Sequence, residues 1–390
     1  MIFFTKVIVT SRQQNGKYLK IGILKRISKA YYTIAKTFNI WIITIFIGLY
    51  LLTIRIINFI FMKIDWLFYP FKLKNKIKAP ILIVGNPRSG TTFIHRYLAD
   101  NGLGVGSRLY QMIFTSIVLQ KIIKPILPLL EKVSPAKFHS DSVHKTSLSA
   151  IETDDPSLLF RFFDGFFLYA FILAWSDEDL LDWFQPKNRD NSKRDFTWLE
   201  TMWKRTLISS SSDRMIGKMF SISVNIPAFI KKFPDAKLLY MVRDPLNVIP
   251  SGLSLVTGVL DGMFGFWSLS KNKRQQYINR IYKALVELQL QFHDDWIDGK
   301  IDTNKVGIVQ YDRMMNDFDG LMNEILPFVN HKSNNELINT IKKTAEKQRL
   351  YKSKHKYDLS KFGLTEEQIR MDCKAIYDTF LKDTIHIGDK

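Results

Sequence analysis

The sequence predicts an α/β protein with a mainly parallel sheet flanked by helices, and with an N-terminal hydrophobic membrane segment. A short apolar run at residues 81–84 leads through a glycine-bounded loop into a segment with helical spacing. A second apolar run, at residues 237–242, leads through Arg243 into a second segment with helical spacing. Strand, loop and helix therefore repeat in this order, with charged residues where strands end, which favours parallel strands joined by helices.

The N-terminal 78 residues are the predicted membrane-associated segment, and residues 79–390 form the predicted folded domain. Residues 1–80 hold fourteen Lys and Arg and a single acid, so they carry most of the net charge of +19. Residues 37–54 contain no charge, and this length is at the threshold for a membrane-spanning helix. A single span and a monotopic or hairpin insertion, with basic flanks on anionic lipid, both stay open. Because the basicity is concentrated here, no nucleic-acid surface is indicated on the folded domain.

The loop at residues 85–92, GNPRSGTT, is predicted to cradle a small anion. Glycines at both ends allow tight turns, and the free N–H groups of the following helix point at the ligand. The spacing G-x-x-x-x-G matches a P-loop, but Thr91 stands where a nucleoside triphosphatase has lysine. Arg88 is the only charged residue of the loop, and its planar guanidinium suits phosphate or sulfate oxygens. We therefore predict an anion site that needs no metal ion.

The stretch at residues 85–98, GNPRSGTTFIHRYL, resembles the 5′-phosphosulfate loop of the sulfotransferases, in the bacterial branch related to tyrosylprotein sulfotransferases. The resemblance extends over roughly residues 79–365. It implies a P-loop-like fold and transfer of a sulfuryl group from 3′-phosphoadenosine 5′-phosphosulfate (PAPS) to a hydroxyl acceptor. It also implies that the loop contacts PAPS through Arg88, Ser89, Gly90, Thr91 and Thr92.

Further positions carry the same resemblance. Arg243 and Ser251, eight residues apart, resemble the 3′-phosphate site, since the end of a strand and the helix that follows it can converge on one phosphate. Lys218 ends a short predicted strand and resembles the lysine that meets the bridging oxygen of PAPS. Tyr311 stands where the family places a tyrosine near PAPS. Lys356 lies in a basic stretch that resembles the C-terminal segment folding over the 3′-phosphate.

The general base is not at either position where related proteins often place it. Those positions hold Gln111 and Phe220, and neither side chain can take a proton from a hydroxyl. A polar cluster further along the chain offers Glu152 or His144 as the base. Glu152 is favoured because the two aspartates that follow it precede a proline and suit helix capping. His95, on the helix after the loop, is the next candidate.

Two other functions stay open at this point. A P-loop kinase or ATPase would need a lysine after Gly90, which is absent. A non-catalytic, membrane-tethered nucleotide-binding protein would account for the loss of both usual base positions. The acceptor could be a glycan, a lipid head group or a small alcohol, and the sequence does not specify an oligomeric state.

We expect a membrane-associated protein whose catalytic domain lies in the cytoplasm, with membrane lipids and the acceptor as its partners. Basic residues flank the apolar run on both sides, and PAPS is made in the cytosol. Cys373 is the only cysteine, so an internal disulfide is excluded and a reducing compartment is indicated.

Overall fold

A four-stranded parallel sheet forms the centre of the computed structural model, which describes residues 19–133, 146–351 and 358–388. The strand order is β2-β1-β3-β4, which confirms the predicted α/β class. The strands are β1 (Ile81–Gly85), β2 (Ile216–Lys218), β3 (Lys237–Val242) and β4 (Val306–Gln310).

Both faces of the sheet are buried. Along β3, Leu238 and Tyr240 point into the larger apolar core, whereas Leu239 and Met241 point into a smaller core on the opposite face. Side chains alternate between the two faces of a strand, so a strand buried on both faces appears in the sequence as a continuous apolar run. This explains why short apolar runs predicted these strands.

Helices cover both faces of the sheet, and three of the described helices precede the first strand in the chain. The apolar sequence after β3 continues as one helix to Phe264, and Gly265 ends it with a φ of 69°. In the described ranges the α-helices are α1 (Ile23–Phe38), α2 (Trp41–Phe68), α3 (Pro70–Lys74), α4 (Thr91–Asp100), α5 (Leu109–Ile113), α6 (Ile117–Ile123), α7 (Leu127–Val133), α8 (Pro156–Phe162), α9 (Phe166–Phe171), α10 (Ser192–Ser210), α11 (Ile226–Lys232), α12 (Pro245–Phe264), α13 (Lys271–Ile297), α14 (Tyr311–Asn316), α15 (Phe318–Phe328), α16 (Asn335–Leu350), α17 (Glu366–Asp372) and α18 (Lys374–Ile376).

Two of the described helices, α2 and α12, are long and apolar enough to cross a membrane by length and composition. They differ in burial: half of the most apolar window of α12 is buried inside the protein, compared with 11% of that of α2. The bounds of α2 also differ from the uncharged run at residues 37–54. Its helix continues past Arg55, because the guanidinium donates hydrogen bonds to the carbonyls of Leu159 and Phe160 at 3.0 and 2.8 Å.

Two further polar side chains of α2 fix it to the domain. Asp65 is completely buried, forms a salt bridge of 2.8 Å with Arg205 and accepts a hydrogen bond from the Ser116 hydroxyl at 2.8 Å. Asn58 donates to the carbonyl of Ile113 at 2.7 Å. Arg55, Asn58 and Asp65 of α2 thus face the domain, whereas most of the large apolar side chains of this helix are exposed.

Candidate active site

All four strands end at the same cleft. The loop after β1 contributes Arg88, β2 ends at Lys218, β3 is followed by Arg243 and β4 by Tyr311, and these four side chains line the cleft. The carboxyl ends of parallel strands share one edge of a sheet, where ligands of such folds bind. The cavity has a volume of about 570 Å³, within the size range of small-molecule sites.

The path of the loop after β1 requires glycine at position 85 and favours it at position 90. A Cβ on Gly85, which has a φ of 124°, would lie 2.4 Å from the carbonyl oxygen of Met241. A Cβ on Gly90, with a φ of 91°, would lie 2.7 Å from the Met314 side chain. Arg88 also has a positive φ, 77°, which residues other than glycine seldom adopt. Such conformations persist where the surroundings impose them, and they are concentrated at functional sites.

The two phosphate motifs of the sequence are joined in space. The Nε of Arg88 donates a hydrogen bond to the Ser251 hydroxyl at 2.9 Å, across 163 residues of sequence. The guanidinium of Arg243 donates to the carbonyl of Arg88 at 2.9 Å and lies 3.9 Å from the centre of the Tyr311 ring. The structure thus brings together four residues that were identified in three separate stretches of sequence.

Lys218 lies beside the loop on its other side. Its Nζ donates to the hydroxyl of Thr92 at 3.0 Å, and the side chain is almost completely buried. Burial lowers the pKa of Lys218, and the nearby Glu152 carboxylate opposes this shift. In the described part of the chain, Arg88, Lys218 and Arg243 form no salt bridge with an acid. The cleft therefore presents positive charge that an anionic ligand could neutralise.

Glu152 lines the same cleft and is only 6% exposed. Its carboxylate forms a salt bridge of 2.9 Å with Arg96 of α4. The sequence analysis missed Arg96, although a usable signal existed. Arg96 follows Thr92 by four residues in a helix, so both lie on the face that begins at the loop.

Aromatic and aliphatic side chains form the wall next to Lys218 and Glu152. Leu109, Phe167, Phe171 and Phe220 all line the cleft. The ring of Phe167 stacks on that of Phe220 at 5.8 Å between centroids and packs against Phe171 at 5.5 Å. The Phe-rich stretch after Pro156 provides part of the core as well as part of this wall.

The chain matches the sulfotransferase family over residues 80–334. It belongs to the sulfotransferase family. The fold resembles sulfotransferase STF1 of Mycobacterium tuberculosis, with a TM-score of 0.64 and 16% identity over 90% of each chain. It also resembles sulfotransferase STF9 of Mycobacterium avium, with a TM-score of 0.58 and 18% identity over 84% of this chain and 83% of the other. At these identities the likeness concerns the fold. No curated protein gives a significant match.

The two aspartates after Glu152 do not cap α8 with their side chains, as the sequence had suggested. The carboxylate of Asp155 accepts the backbone N–H groups of Phe220 and Ser221, both at 3.1 Å. Asp154 accepts the backbone N–H of Lys218 at 3.2 Å, and burial raises its pKa to about 7. In this sulfotransferase both aspartates hold the end of β2 and the chain that follows it, because they accept the backbone N–H groups of Lys218, Phe220 and Ser221.

Two other candidate positions are structural in this sulfotransferase. His95 is completely buried and its Nε2 is hydrogen-bonded to the carbonyl of Ile216 at 2.9 Å. Burial lowers the pKa of His95 to about 3, so its ring is a poor proton acceptor at neutral pH. Gln111 accepts the backbone N–H of Arg108 at 2.9 Å and thereby caps α5.

Ser89, a further predicted site residue, does not line the cleft. The Ser89 hydroxyl donates to the carbonyl of Asn86 at 2.6 Å, so it stabilises the turn of the loop instead of pointing into the cleft. The tight turn needs this internal bond because the carbonyl is buried. His144 and Lys356 lie outside the residues that the structure describes.

Proposed function

We propose that this sulfotransferase moves the sulfuryl group of PAPS to a hydroxyl acceptor. The observation that supports this most directly is the hydrogen-bonded connection of Arg88, Ser251 and Arg243 beside Lys218 in one cleft. PAPS carries negative charge at both its 5′-phosphosulfate and its 3′-phosphate. A cleft with three cations that lack acidic partners among the described residues fits such a ligand.

Each part of PAPS has residues suited to hold it. The first-turn N–H groups of α4 at Thr91 and Thr92, with Gly90 and Arg88, would bind the 5′-phosphosulfate. Arg243 and Ser251 would bind the 3′-phosphate, with Tyr311 packed against the guanidinium and Lys356 as a further predicted contact.

The reaction would form a bond between the acceptor oxygen and sulfur while the bond from sulfur to the bridging phosphate oxygen breaks. Glu152 would take the hydroxyl proton, an effect worth about 10²–10⁴ in rate. Lys218 would stabilise the charge that develops on the leaving phosphate. Arg96 would orient Glu152 through their salt bridge. His144 remains the alternative base. As in phosphoryl transfer, positioning and electrostatics would supply most of the catalysis.

Incubation of the purified full chain with ³⁵S-labelled PAPS and mixed membrane extracts tests this function. We expect label in an acceptor fraction, and tight binding of adenosine 3′,5′-bisphosphate (PAP) without Mg²⁺. The Arg243→Ala variant is the matched control and should lose most of both signals. Mg²⁺-dependent ATP binding without PAP binding would instead support a kinase or ATPase. PAP binding without transfer to any fraction would support the non-catalytic nucleotide-binding protein.

We also propose that the N-terminal helices attach the enzyme to a membrane with the catalytic cleft in the cytoplasm. The outward apolar residues of α2 and the basic residues on both sides support this. Protease treatment of intact cells and of opened vesicles is the test. We expect digestion of the domain only in opened vesicles, and digestion from outside intact cells would contradict this orientation.

A further inference from the structure

We infer that the acceptor is a membrane amphiphile, a hydroxyl carried on a hydrophobic body, which enters the cleft from the leaflet along which α2 lies. This inference rests on the proposed sulfuryl transfer and specifies its acceptor class. Three features of the described residues support it: the way α2 is held, the composition of the outward surface, and the wall of the cleft.

The first feature is the spacing of the residues that fix α2 to the domain. The helix between them is too short to cross the hydrocarbon core of a bilayer. Between its start at Trp41 and the docked Arg55, the helix rises by about 21 Å, whereas the hydrocarbon core of a bilayer is about 30 Å thick. Asp65 docks ten residues further on. Just before α2, Phe38 stacks on Phe264 at 4.7 Å. Held at these points, α2 runs lengthwise beside the domain, with nine of the ten residues from Trp41 to Tyr50 exposed, and the stretch between the points is too short to cross a bilayer.

The second feature is the outward surface of α2, which is apolar with cations near its end. Phe46 and Leu67 are 66% and 77% exposed. The basic side chains Lys72 and Lys74 follow the helix and are exposed, whereas Asp65, the one acid of this region, is buried. Apolar residues bordered by cations fit the head groups and outer chains of an anionic leaflet. Other exposed apolar residues on α2 are Ile42, Ile43, Ile45, Leu49, Tyr50, Leu52, Ile56, Phe59 and Ile60.

The same outward surface continues towards the cleft. Ile122, Ile126 and Leu129, on α6, α7 and the short 3₁₀ turn between them, are exposed as well. The helix α6 packs against α2 and directly follows α5, whose Leu109 lines the cleft. Asn58 of α2 binds the last residue of α5. The outward surface thus connects to an element of the cleft wall.

The third feature is the wall itself. Leu109, Pro156, Phe167, Phe171 and Phe220 surround the side of the cleft next to Glu152 and Lys218. A sugar against this wall would leave hydroxyl groups without hydrogen-bond partners, which is costly. An alkyl chain or ring would instead gain affinity with each buried methylene, about fourfold per group. The wall therefore favours an apolar acceptor body.

The chain-length dependence of alcohol binding tests the acceptor class. The full chain loaded with PAP is titrated with hexan-1-ol, octan-1-ol and decan-1-ol by calorimetry. We expect affinity to rise about fourfold per methylene. In Phe167→Ala this increment should shrink, whereas in Phe328→Ala, on the distant α15, it should persist. PAP binding is measured in every variant and shows that the site is folded.

The outcomes of this titration are distinguishable. If PAP binds and affinity does not depend on chain length, the amphiphile inference is wrong while the nucleotide site stands. The inference would also be wrong if the gain in alcohol affinity per methylene stayed unchanged in both Phe167→Ala and the milder Phe171→Leu. The alcohols would then bind outside the cleft. If PAP does not bind the parent chain, the proposed function itself fails.

The position of α2 is tested with one cysteine on each of the two helices that flank it, α1 and α3. Cys373 is buried, so Lys36→Cys and Lys74→Cys can each be labelled selectively by a membrane-impermeant maleimide. In inverted vesicles, both sites should react, and in intact cells neither should. Labelling of one site from each side would show a spanning helix and contradict the lengthwise position. Labelling of both from outside would contradict delivery from the cytoplasmic leaflet.

Discussion

The two sides of the cleft differ in how their residues are held. Arg88, Lys218, Arg243 and Tyr311 all lie within three residues of the end of a strand. Glu152 and the wall residues Leu109, Phe167 and Phe171 come instead from the long segment between β1 and β2, and Phe220 comes just after β2. Arg96 and hydrophobic packing hold this group in place. We call the first group, together with Ser251, which is bonded to Arg88, the nucleotide side. The second group is the acceptor side. The sheet fixes the nucleotide side, whereas the acceptor side depends on side chains that can change without disturbing the strands.

This difference leads to separable effects of mutation. A change on the nucleotide side should alter PAP binding, because in the proposed function its groups would contact the phosphates directly. A change on the acceptor side should alter turnover and leave PAP binding as it is. The predictions below compare the two sides, beginning with the largest expected effect.

The largest effect is expected for Glu152→Gln on the acceptor side. The amide keeps the shape of the side chain but cannot take a proton, so kcat/KM should fall by about 10²–10⁴. The dissociation constant for PAP should stay within a factor of about three, because Glu152 is not expected to touch the nucleotide. The measurements are steady-state transfer from labelled PAPS and calorimetric PAP binding.

The matched control is Glu336→Gln, an exposed carboxylate on α16, which should leave both quantities unchanged. Near-normal turnover in Glu152→Gln combined with an inactive His144→Ala would identify His144 as the base. If PAP binding fell together with turnover, Glu152 would belong to the nucleotide side and the division into two sides would be wrong.

The next effect is expected for Lys218→Met, on the nucleotide side where it meets Glu152 in the cleft. Methionine keeps most of the buried volume but removes the cation near the leaving phosphate. Loss of one such group typically costs about 2.7–4 kcal/mol, or 10²–10³ in kcat. PAP binding should weaken less than kcat falls, since the developing charge is larger in the transition state. Equal losses in kcat and PAP affinity would instead indicate uniform binding of the nucleotide.

A smaller effect is expected for Arg243→Ala on the nucleotide side. Hydrogen bonds to charged groups contribute about 1.5–3 kcal/mol, so PAP affinity should fall roughly 10- to 150-fold. Adenosine 5′-monophosphate lacks the 3′-phosphate, and its binding should barely change. Calorimetry with both nucleotides measures this. Equal losses for the two would show that Arg243 supports the loop through the Arg88 carbonyl and does not select the 3′-phosphate.

The sequence predicted that the residues of the nucleotide side converge, as they do in the structure. This was possible because their signals are local. A strand, a glycine turn and a charged residue follow one another within a few positions, and a parallel sheet then brings strand ends together without further information. Arg88 and Arg243 could be picked out from their position after a strand, whereas Lys218 and Tyr311 were assigned through the family resemblance. Ser89 shows the limit, because only the folded loop reveals that its hydroxyl bonds to Asn86.

The acceptor side was harder to predict because its contacts are remote in sequence. Asp155 was assigned to its own helix, but its carboxylate binds N–H groups 65 and 66 residues away. Arg96 meets Glu152 across 56 residues. The apolar run was predicted to end before Arg55 because that residue is charged. In the structure, carbonyl groups of α8 accept hydrogen bonds from the Arg55 guanidinium, and the helix continues. Such pairings depend on how the helices pack, which the local sequence pattern does not determine.

The smallest effect is expected for Ser251→Ala, and it tests whether the nucleotide side acts as one unit. The buried Ser251 hydroxyl accepts a hydrogen bond from the Nε of Arg88. Removing one hydrogen bond of this kind costs about 0.5–1.5 kcal/mol, so PAP affinity should fall by roughly 2- to 12-fold. Ser254→Ala, three residues later on α12, is the matched control and should have no effect. The double variant with Arg243→Ala should lose less affinity than the two single losses combined, because both residues hold Arg88. Additive losses would mean that Ser251 and Arg243 act independently, and equal effects of Ser251→Ala and Ser254→Ala would mean that the hydroxyl plays no part in binding.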